Sequence, residues 1–401
     1  MQYLLMTVSA NQMSSQSDIS ESLGLDHIAK VYYGQGTRRL LEEVLASYSN
    51  IIIVCSTNGR KRIEQDPYLF AALEGIKIVW IDSINSYPTI GYLNAILNME
   101  DNFNVDVILG IGGGSVLDVA KTISVLLPVR NQHMPEKICK NPEILDFSPS
   151  LPTILLPTTC GTGSEVTPFA TLWDEVSKSK LSLSHKSLLP AVVIGDPDLL
   201  AGLNSRTISS TALDALIQNL ESLWNINATP KSKSIALAGL TYSLEGLELY
   251  GTAGLNHSSA NLLLRASLFS GAAIAITRTA ICHAVSYPLT SRFGVPHGFA
   301  CAFSLISVLS IVLKKSSSFS ETVTRSLNLT SEELIELVRS VYLRLSVGET
   351  LRVYLPSLEE VLALSDEMFG SIRSRNTIIS IDGKELESII KESYSLMRSA
   401  P

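Results

Sequence analysis

The residues of this chain best suited to hold a metal ion are Asp214, Gln218, His283 and His297. Two imidazoles fourteen positions apart (297 − 283) stand downstream of the run Asp214-Ala-Leu-Ile-Gln218. A carboxylate and two imidazoles are enough to bind a divalent cation and leave positions open for a substrate. Such a cation polarises a carbonyl. Asp214 and Gln218 are i and i+4 on an expected helix and share one face, with Glu221 near it. Gln218 adds an amide oxygen, a weaker donor than imidazole. His283 is expected after a helical stretch rich in small residues, Ser267 to Ile281. His297 lies between Pro296 and Gly298 at a loop-to-helix junction. A lone histidine is more often structural than ligating, so the argument rests on the set.

A second group of residues suits a dinucleotide. The run Val105 to Lys121 reads strand, tight turn, helix, with Gly112, Gly113, Gly114 and Ser115 at the turn and Asp118 one turn on. Glycines let a backbone approach a pyrophosphate, and the following helix N-terminus offers N–H groups and positive dipole character. Ser115 stands where G-x-G-x-x-G would place its last glycine. A second loop, Leu156 to Glu165, presents Thr158, Thr159, Thr162 and Ser164, whose hydroxyls suit phosphate, ribose or nicotinamide. Ser56 and Lys180 complete the candidate contacts. A carboxylate after the Ile51–Cys55 strand would bind the ribose hydroxyl of NAD. The chain has Ser56-Thr57-Asn58-Gly59-Arg60-Lys61 there, with no acid against a 2′-phosphate and two cations able to reach one. The reading therefore leans to NADP(H). Each loop has a plainer alternative, an ordinary polar turn. Metal and dinucleotide together imply hydride chemistry.

The elements that must position these residues follow from pattern and composition. A chain of 401 residues exceeds one ordinary core and implies two domains. Apolar runs at 51–55, 76–81 and 105–109, separated by helical patterns, imply a doubly wound parallel sheet buried on both faces. Ile154–Leu156 and Val192–Ile194 add short strands, and strand signals stop after Asp196-Pro197. The expected organisation is an irregular arm (1–27) within a dinucleotide-binding α/β domain (1–197), then an all-helical metal and substrate domain (198–401). Capping-box spacing marks helix starts at Thr330, Ser357 and Asp382. Hydrophobic residues make up 46% and charged ones 17%, which argues against disorder. A net charge of −7, without a long basic cluster, argues against a nucleic-acid partner. Five scattered cysteines with no CxxC pair argue against disulfides and structural zinc, and fit a cytoplasmic setting. The N-terminal residues lack the basic region of a signal peptide. Mean hydropathy is +0.25. The longest apolar stretch, Phe299–Leu313, is short of the roughly 20 residues a membrane span needs and reads as a core helix.

The chain resembles the iron-dependent (group III) alcohol dehydrogenase family from about Lys30 to Met397. The matching motifs are Gly112–Ser115, Thr158–Glu165, Asp196-Pro197, Asp214-Ala-Leu and Pro296-His297-Gly298. The resemblance implies the dehydroquinate synthase-like fold, an active site in the cleft between its domains, and iron or zinc held by one Asp and three His. Asp214, His283 and His297 match three of these ligands, and Gln218 departs from the fourth. A further family histidine falls on Tyr287, which becomes a candidate proton donor, with aromatic packing as its alternative. A narrower resemblance, over Thr277–Gly298 and Leu213–Asn225, is to the phosphonoacetaldehyde reductase branch, which converts that aldehyde to 2-hydroxyethylphosphonate. A phosphonate needs a cation, and Arg278, with Arg292 second, is the candidate; the alternative is that either pairs with a nearby carboxylate such as Glu221 or Asp214. The expected activity is NAD(P)H-dependent reduction of a small anionic aldehyde in a homodimer or larger homo-oligomer. The alternatives are another alcohol dehydrogenase or aldehyde reductase, or a non-catalytic nucleotide-binding relative whose metal site has decayed at Gln218.

Overall fold

The computed structural model describes residues 17–24, 30–84, 88–98, 104–129, 135–174 and 179–399. Most of the expected arm, 1–27, lies outside them. Within it, Ser17–Asp18 forms a short strand, β1, antiparallel to β2 (Lys30–Tyr33). The other strands of the main sheet are β3 (Asn50–Val54), β4 (Lys77–Ile81), β5 (Val107–Gly112), β6 (Thr153–Pro157) and, after a separate hairpin, β9 (Val192–Gly195). The order is β1-β2-β9-β6-β5-β3-β4, with β2 to β4 all parallel. Every residue of β5 and β6 is buried, as expected of strands covered on both faces. From β3 the chain turns outward to β4, then returns to the opposite side of β3 for β5. The switch point of the winding thus lies between β3 and β5, and the loops at their carboxyl ends are the place where such sheets bind ligands.

The hairpin β7 (Phe169–Asp174) and β8 (Ser179–Ser184) forms a separate two-stranded sheet that the sequence reading passed over. Its signal is alternation: Ala170, Leu172 and Leu183 are buried, while Phe169, Thr171, Trp173, Ser182 and Ser184 beside them are partly or fully exposed. That alternation lacks the unbroken apolar run that marked the parallel strands.

Two helices of this unit bear on the site: α1 (Thr57–Gln65) after β3, and α2 (Gly114–Leu126) after β5. The compact α/β unit comprises the chain up to Thr158 together with Ser164–Ala201. The other unit takes Thr159–Gly163 and everything from Gly202. Its long helices are α3 (Ser205–Leu223), α4 (Pro230–Ala253), α5 (His257–Thr277), α6 (Ile281–Phe293), α7 (His297–Lys315) and α8 (Gly383–Ser399). No strand follows Gly195 among the described residues. The Thr330 and Ser357 capping boxes form. Asp382 caps the Glu385 N–H at 2.8 Å, while the Glu385 carboxylate turns to Lys315.

Two expectations change here. The apolar stretch at 299–313 belongs to a 19-residue helix, α7, and α5 runs to 21 residues, so both reach membrane-spanning length. Their apolar windows are 78% and 72% buried in the helical unit, where these side chains form the core. The helix expected to run from Ser267 to Ile281 also ends early. Arg278 adopts φ 65°, ψ 176°, a backbone region essentially restricted to glycine, and breaks the chain between α5 and α6.

Candidate metal centre and its surroundings

Three helices of the helical unit converge. α3 supplies Asp214, α6 supplies His283 from its first turn, and α7 supplies His297 as its first residue. Gly298 explains how α7 comes close enough. A Cβ there would lie 1.7 Å from the Ser210 carbonyl oxygen, so only glycine lets the start of α7 sit against α3. The Gly298 N–H donates to Ser210 Oγ at 3.1 Å. The backbone contact places His297 Nε2 3.9 Å from Asp214 Oδ1, and His283 Nε2 is 3.2 Å from the same oxygen. The two imidazole centroids are 5.3 Å apart.

The orientation of His283 is set by Glu221, one turn beyond Gln218 on α3. Its carboxylate accepts the N–H groups of Ala280 (2.6 Å), Cys282 (2.6 Å) and His283 (3.2 Å), which are otherwise unpaired donors at the α6 N-terminus. It also accepts from His283 Nδ1 at 2.7 Å. With Nδ1 donating to Glu221, Nε2 faces Asp214, donating to it when protonated and free to offer its lone pair to a metal when not. A carboxylate behind an imidazole is the usual support of a metal-bound histidine.

A fourth donor joins them that the sequence reading missed. Cys301 sits one turn after His297 on the same face of α7, fully buried, its sulfur 3.8 Å from His297 Nε2. Ligand atoms of Asp214, His283, His297 and Cys301 all lie within 4.8 Å of one another. Its signal in the sequence is the His-x-x-x-Cys spacing on a helix, which a CxxC pattern does not capture. Gln218, expected as a ligand, accepts a hydrogen bond from Ser270 Oγ at 2.8 Å through its amide oxygen.

The charges agree with a cation at this point. Burial disfavours the charged form of His283, but the Cys301 sulfur and the Glu221 carboxylate outweigh it and hold the imidazole well above its ordinary pKa. Burial raises the Cys301 thiol, and the two imidazoles more than offset this, bringing it down to about 7. Acceptors crowded in a buried space favour positive charge, whether proton or metal. The chemistry of this donor set therefore fits a divalent transition metal.

Tyr287 stacks on His297, with centroids 6.0 Å apart and planes 3° from parallel. The Arg373 guanidinium lies over the Tyr287 ring, 5.5 Å from its centroid. Arg373 was not singled out from sequence, since it lies 95 positions (373 − 278) from Arg278 in the chain. Its Nε is buried without a hydrogen-bond partner. Arg278 stands at the α5–α6 break, held by Asn225 Nδ2 donating to its carbonyl (3.1 Å) and Asn376 Nδ2 donating to that of Thr279 (2.8 Å). Burial, and then repulsion from Arg373, lowers Arg278 to about 10. Arg292, the second candidate for an anion, is exposed and paired with Glu367 at 3.2 Å.

In the α/β unit, Gly112, Gly113, Gly114 and Ser115 carry the chain from β5 into α2, whose N-terminus has no side-chain cap. Thr158 N–H donates to the Gly112 carbonyl at 2.9 Å, tying the two glycine-bearing loops together. Asp118 turns to the protein. Its carboxylate accepts from Ser164 Oγ (2.5 Å) and the Thr171 N–H (2.8 Å). Ser56 Oγ caps α1 by accepting from the Gly59 N–H at 3.0 Å. Thr159 and Thr162 lie in the segment that packs with the helical unit, where a Cβ on Gly163 would meet Gly271 Cα at 2.4 Å. The backbone of Lys180 pairs with Trp173, and its side chain lies outside the described residues. Arg60 is not the free cation that the sequence suggests. An acid does stand near it, supplied by the end of β4: Asp82 Oδ2 is 2.8 Å from Arg60 Nη1, and Glu64 binds Arg60 Nε at 2.9 Å. Arg60 is thereby engaged within the protein, which leaves Lys61 alone of the two cations expected to favour NADP(H).

Residues 29–197 match iron-containing alcohol dehydrogenase, and residues 208–394 match the C-terminal region of the Fe-containing alcohol dehydrogenase family. The chain is 39% identical over 203 residues to phosphonoacetaldehyde reductase of Streptomyces viridochromogenes, covering 50% of this chain and 51% of that one. It is 33% identical over 283 residues to sulfoacetaldehyde reductase of Bilophila wadsworthia, covering 69% and 71%. The chain thus spans about half the length of the first of these relatives. Sulfoacetaldehyde reductase from Bifidobacterium kashiwanohense, solved in complex with NAD+, has the same fold, with a TM-score of 0.82 at 20% identity over 95% of this chain and 98% of that one. The chain belongs to the iron-containing alcohol dehydrogenase family. Within it, phosphonoacetaldehyde reductase is the branch it resembles at 39% identity.

Proposed function

We propose that this protein uses NAD(P)H to reduce a small anionic aldehyde to its alcohol, with phosphonoacetaldehyde, giving 2-hydroxyethylphosphonate, as the substrate. The observation that carries the reading is the convergence of Asp214, His283 and His297, with His283 oriented by Glu221. A divalent metal bound by these residues supplies a Lewis acid for the carbonyl. The α2 N-terminus and its glycines hold the nucleotide pyrophosphate. Arg278 binds the substrate's anionic group, assisted by Arg373. Two guanidiniums that repel each other, one of them with a buried unpaired N–H, form a place where an anion gains and a neutral group does not. In this reading Tyr287, whose ring stacks on His297, hands a proton to the product oxygen. Assembly as a homodimer or larger homo-oligomer belongs to the same reading.

The test is nicotinamide oxidation with phosphonoacetaldehyde beside uncharged aldehydes of similar size, with NADH and NADPH compared, on protein of measured metal content. The expected result is preference for the phosphonate. Equal rates on all aldehydes would remove the anionic assignment. Metal-free, inactive protein would favour a nucleotide-binding relative with a decayed site. The Arg278→Gly variant separates function from folding. Glycine tolerates the backbone angles at 278, so stability should rise by about 1–3 kcal/mol as strain is relieved. Loss of charge-assisted contacts of ~1.5–3 kcal/mol should lower kcat/KM for the anionic aldehyde roughly 10- to 100-fold and spare uncharged ones.

A further inference from the structure

We infer that Cys301 is a thiolate ligand of the metal and takes the coordination place left by the glutamine at 218, giving an Asp-His-His-Cys donor set that selects zinc. The inference rests on the metal reading of the cluster and goes beyond it in naming the fourth ligand and the ion.

Geometry carries the argument. α3 and α7 each present an i, i+4 pair at the site, Asp214 with Gln218 and His297 with Cys301. The first residue of each pair lies in the cluster. Of the second residues, Gln218 directs its amide oxygen at Ser270, on α5. Cys301 directs its sulfur at His297 Nε2 and lies within 4.8 Å of the ligand atoms of Asp214 and His283 as well. α7 is held against α3 by the contact at Gly298, and Cys301 follows it by one turn in a wholly buried stretch. The other buried cysteine nearby, Cys282, lies outside the four-residue cluster.

Chemistry fixes the consequence. On metal binding the Cys301 S–H bond breaks, a sulfur–metal bond forms and the proton leaves to solvent. A thiolate beside two imidazoles and one carboxylate is a donor set for zinc, which accepts N, O and S ligands in tetrahedral arrangement and takes a fifth donor during reaction. Sulfur moves the site away from the harder ions served by carboxylate and water alone.

Cobalt(II) reads this directly, because a thiolate bound to it produces an intense near-ultraviolet charge-transfer band that imidazole and carboxylate do not. The protein is stripped of metal, reloaded with cobalt(II) and examined by absorption spectroscopy, with cobalt bound per chain measured separately. The inference expects one cobalt per chain and the band in the wild-type protein, the band retained in Gln218→Ala and Cys282→Ser, and its loss in Cys301→Ser. The same inference expects zinc to displace iron(II) in competition. Stoichiometric cobalt without the band in the wild-type protein overturns the inference and leaves the proposed reaction standing. So does a band that survives in Cys301→Ser. Failure to bind cobalt at all overturns both. If the Cys301→Ser protein does not fold, the wild-type and Cys282→Ser spectra together decide the matter: the band must be present in both.

Discussion

Two glutamates are fully buried among the described residues, one in each unit, and their surroundings are opposite. Glu221, in the helical unit, receives three backbone N–H groups and the Nδ1–H of His283. Glu165, in the α/β unit, has one carboxylate oxygen, Oε1, buried with no hydrogen-bond partner. Burial is the dominant influence on Glu165 and raises it to about 7, against the smaller opposing pull of Lys121. Lys121 is itself wholly buried, donating to the carbonyls of Ser164 (2.7 Å) and Phe169. The lesson is that burial alone does not define a site. A buried carboxylate organises its neighbours when it is saturated with donors, and it becomes a titrating liability when it is not.

The strongest way to break this comparison is Glu221→Ala. It strips four donors of their acceptor and frees the His283 ring. The expected loss is about 3–5 kcal/mol of stability, measured by denaturant unfolding. Metal affinity should fall roughly 10- to 100-fold, measured by chelator competition. Glu221→Gln sharpens the point: it keeps the shape, retains more stability than alanine, and still fails to restore metal affinity. If Glu221→Ala unfolds no more readily than the wild type and keeps its metal, the contrast drawn here is wrong.

Glu165→Gln should have the smaller effect and the opposite sign. Glu165 is raised to about 7 in the folded protein from an ordinary value of 4.5. Between those pH values the folded state holds more protons than the unfolded one. Stability therefore falls as pH rises through this window, and the loss is complete above the folded value. The amide removes that dependence. At pH 8 the variant should gain on the wild type by up to about 3 kcal/mol, from the size of the shift. At pH 4 the two should be nearly equal. A wild-type stability difference between pH 5 and pH 8 that the variant retains in full would place the titrating group elsewhere.

The same contrast explains what could be read in advance. The runs at 51–55 and 105–109 were legible because a parallel strand covered on both faces leaves little but apolar residues. Asp214, His283 and His297 were legible because few other roles demand those types in that set. The job of Glu221 was not, because its donors are backbone groups 59 to 62 positions away, and backbone carries no sequence signature. Arg373 and Asp82 were hidden for a related reason. Each acts on a residue, Arg278 or Arg60, that only the fold brings near. The break at Arg278 was misread as helix because neither glycine nor proline marks it. Cys301 was hidden because a single cysteine carries no metal signature until the helix brings it beside His297.

The five residues Thr159–Gly163 carry one more consequence. They are flanked on both sides by the α/β unit, yet pack with the helical one, where Gly161 and Gly163 admit close approach of Thr211 and Gly271. The helical body is therefore discontinuous along the chain. Grafting a nucleotide-binding half from a relative onto residues 202–401 would leave behind a plug shaped for the recipient's own helices. Chimaeras in this family should keep that pentapeptide matched to its C-terminal half, whichever parent supplies the sheet around it.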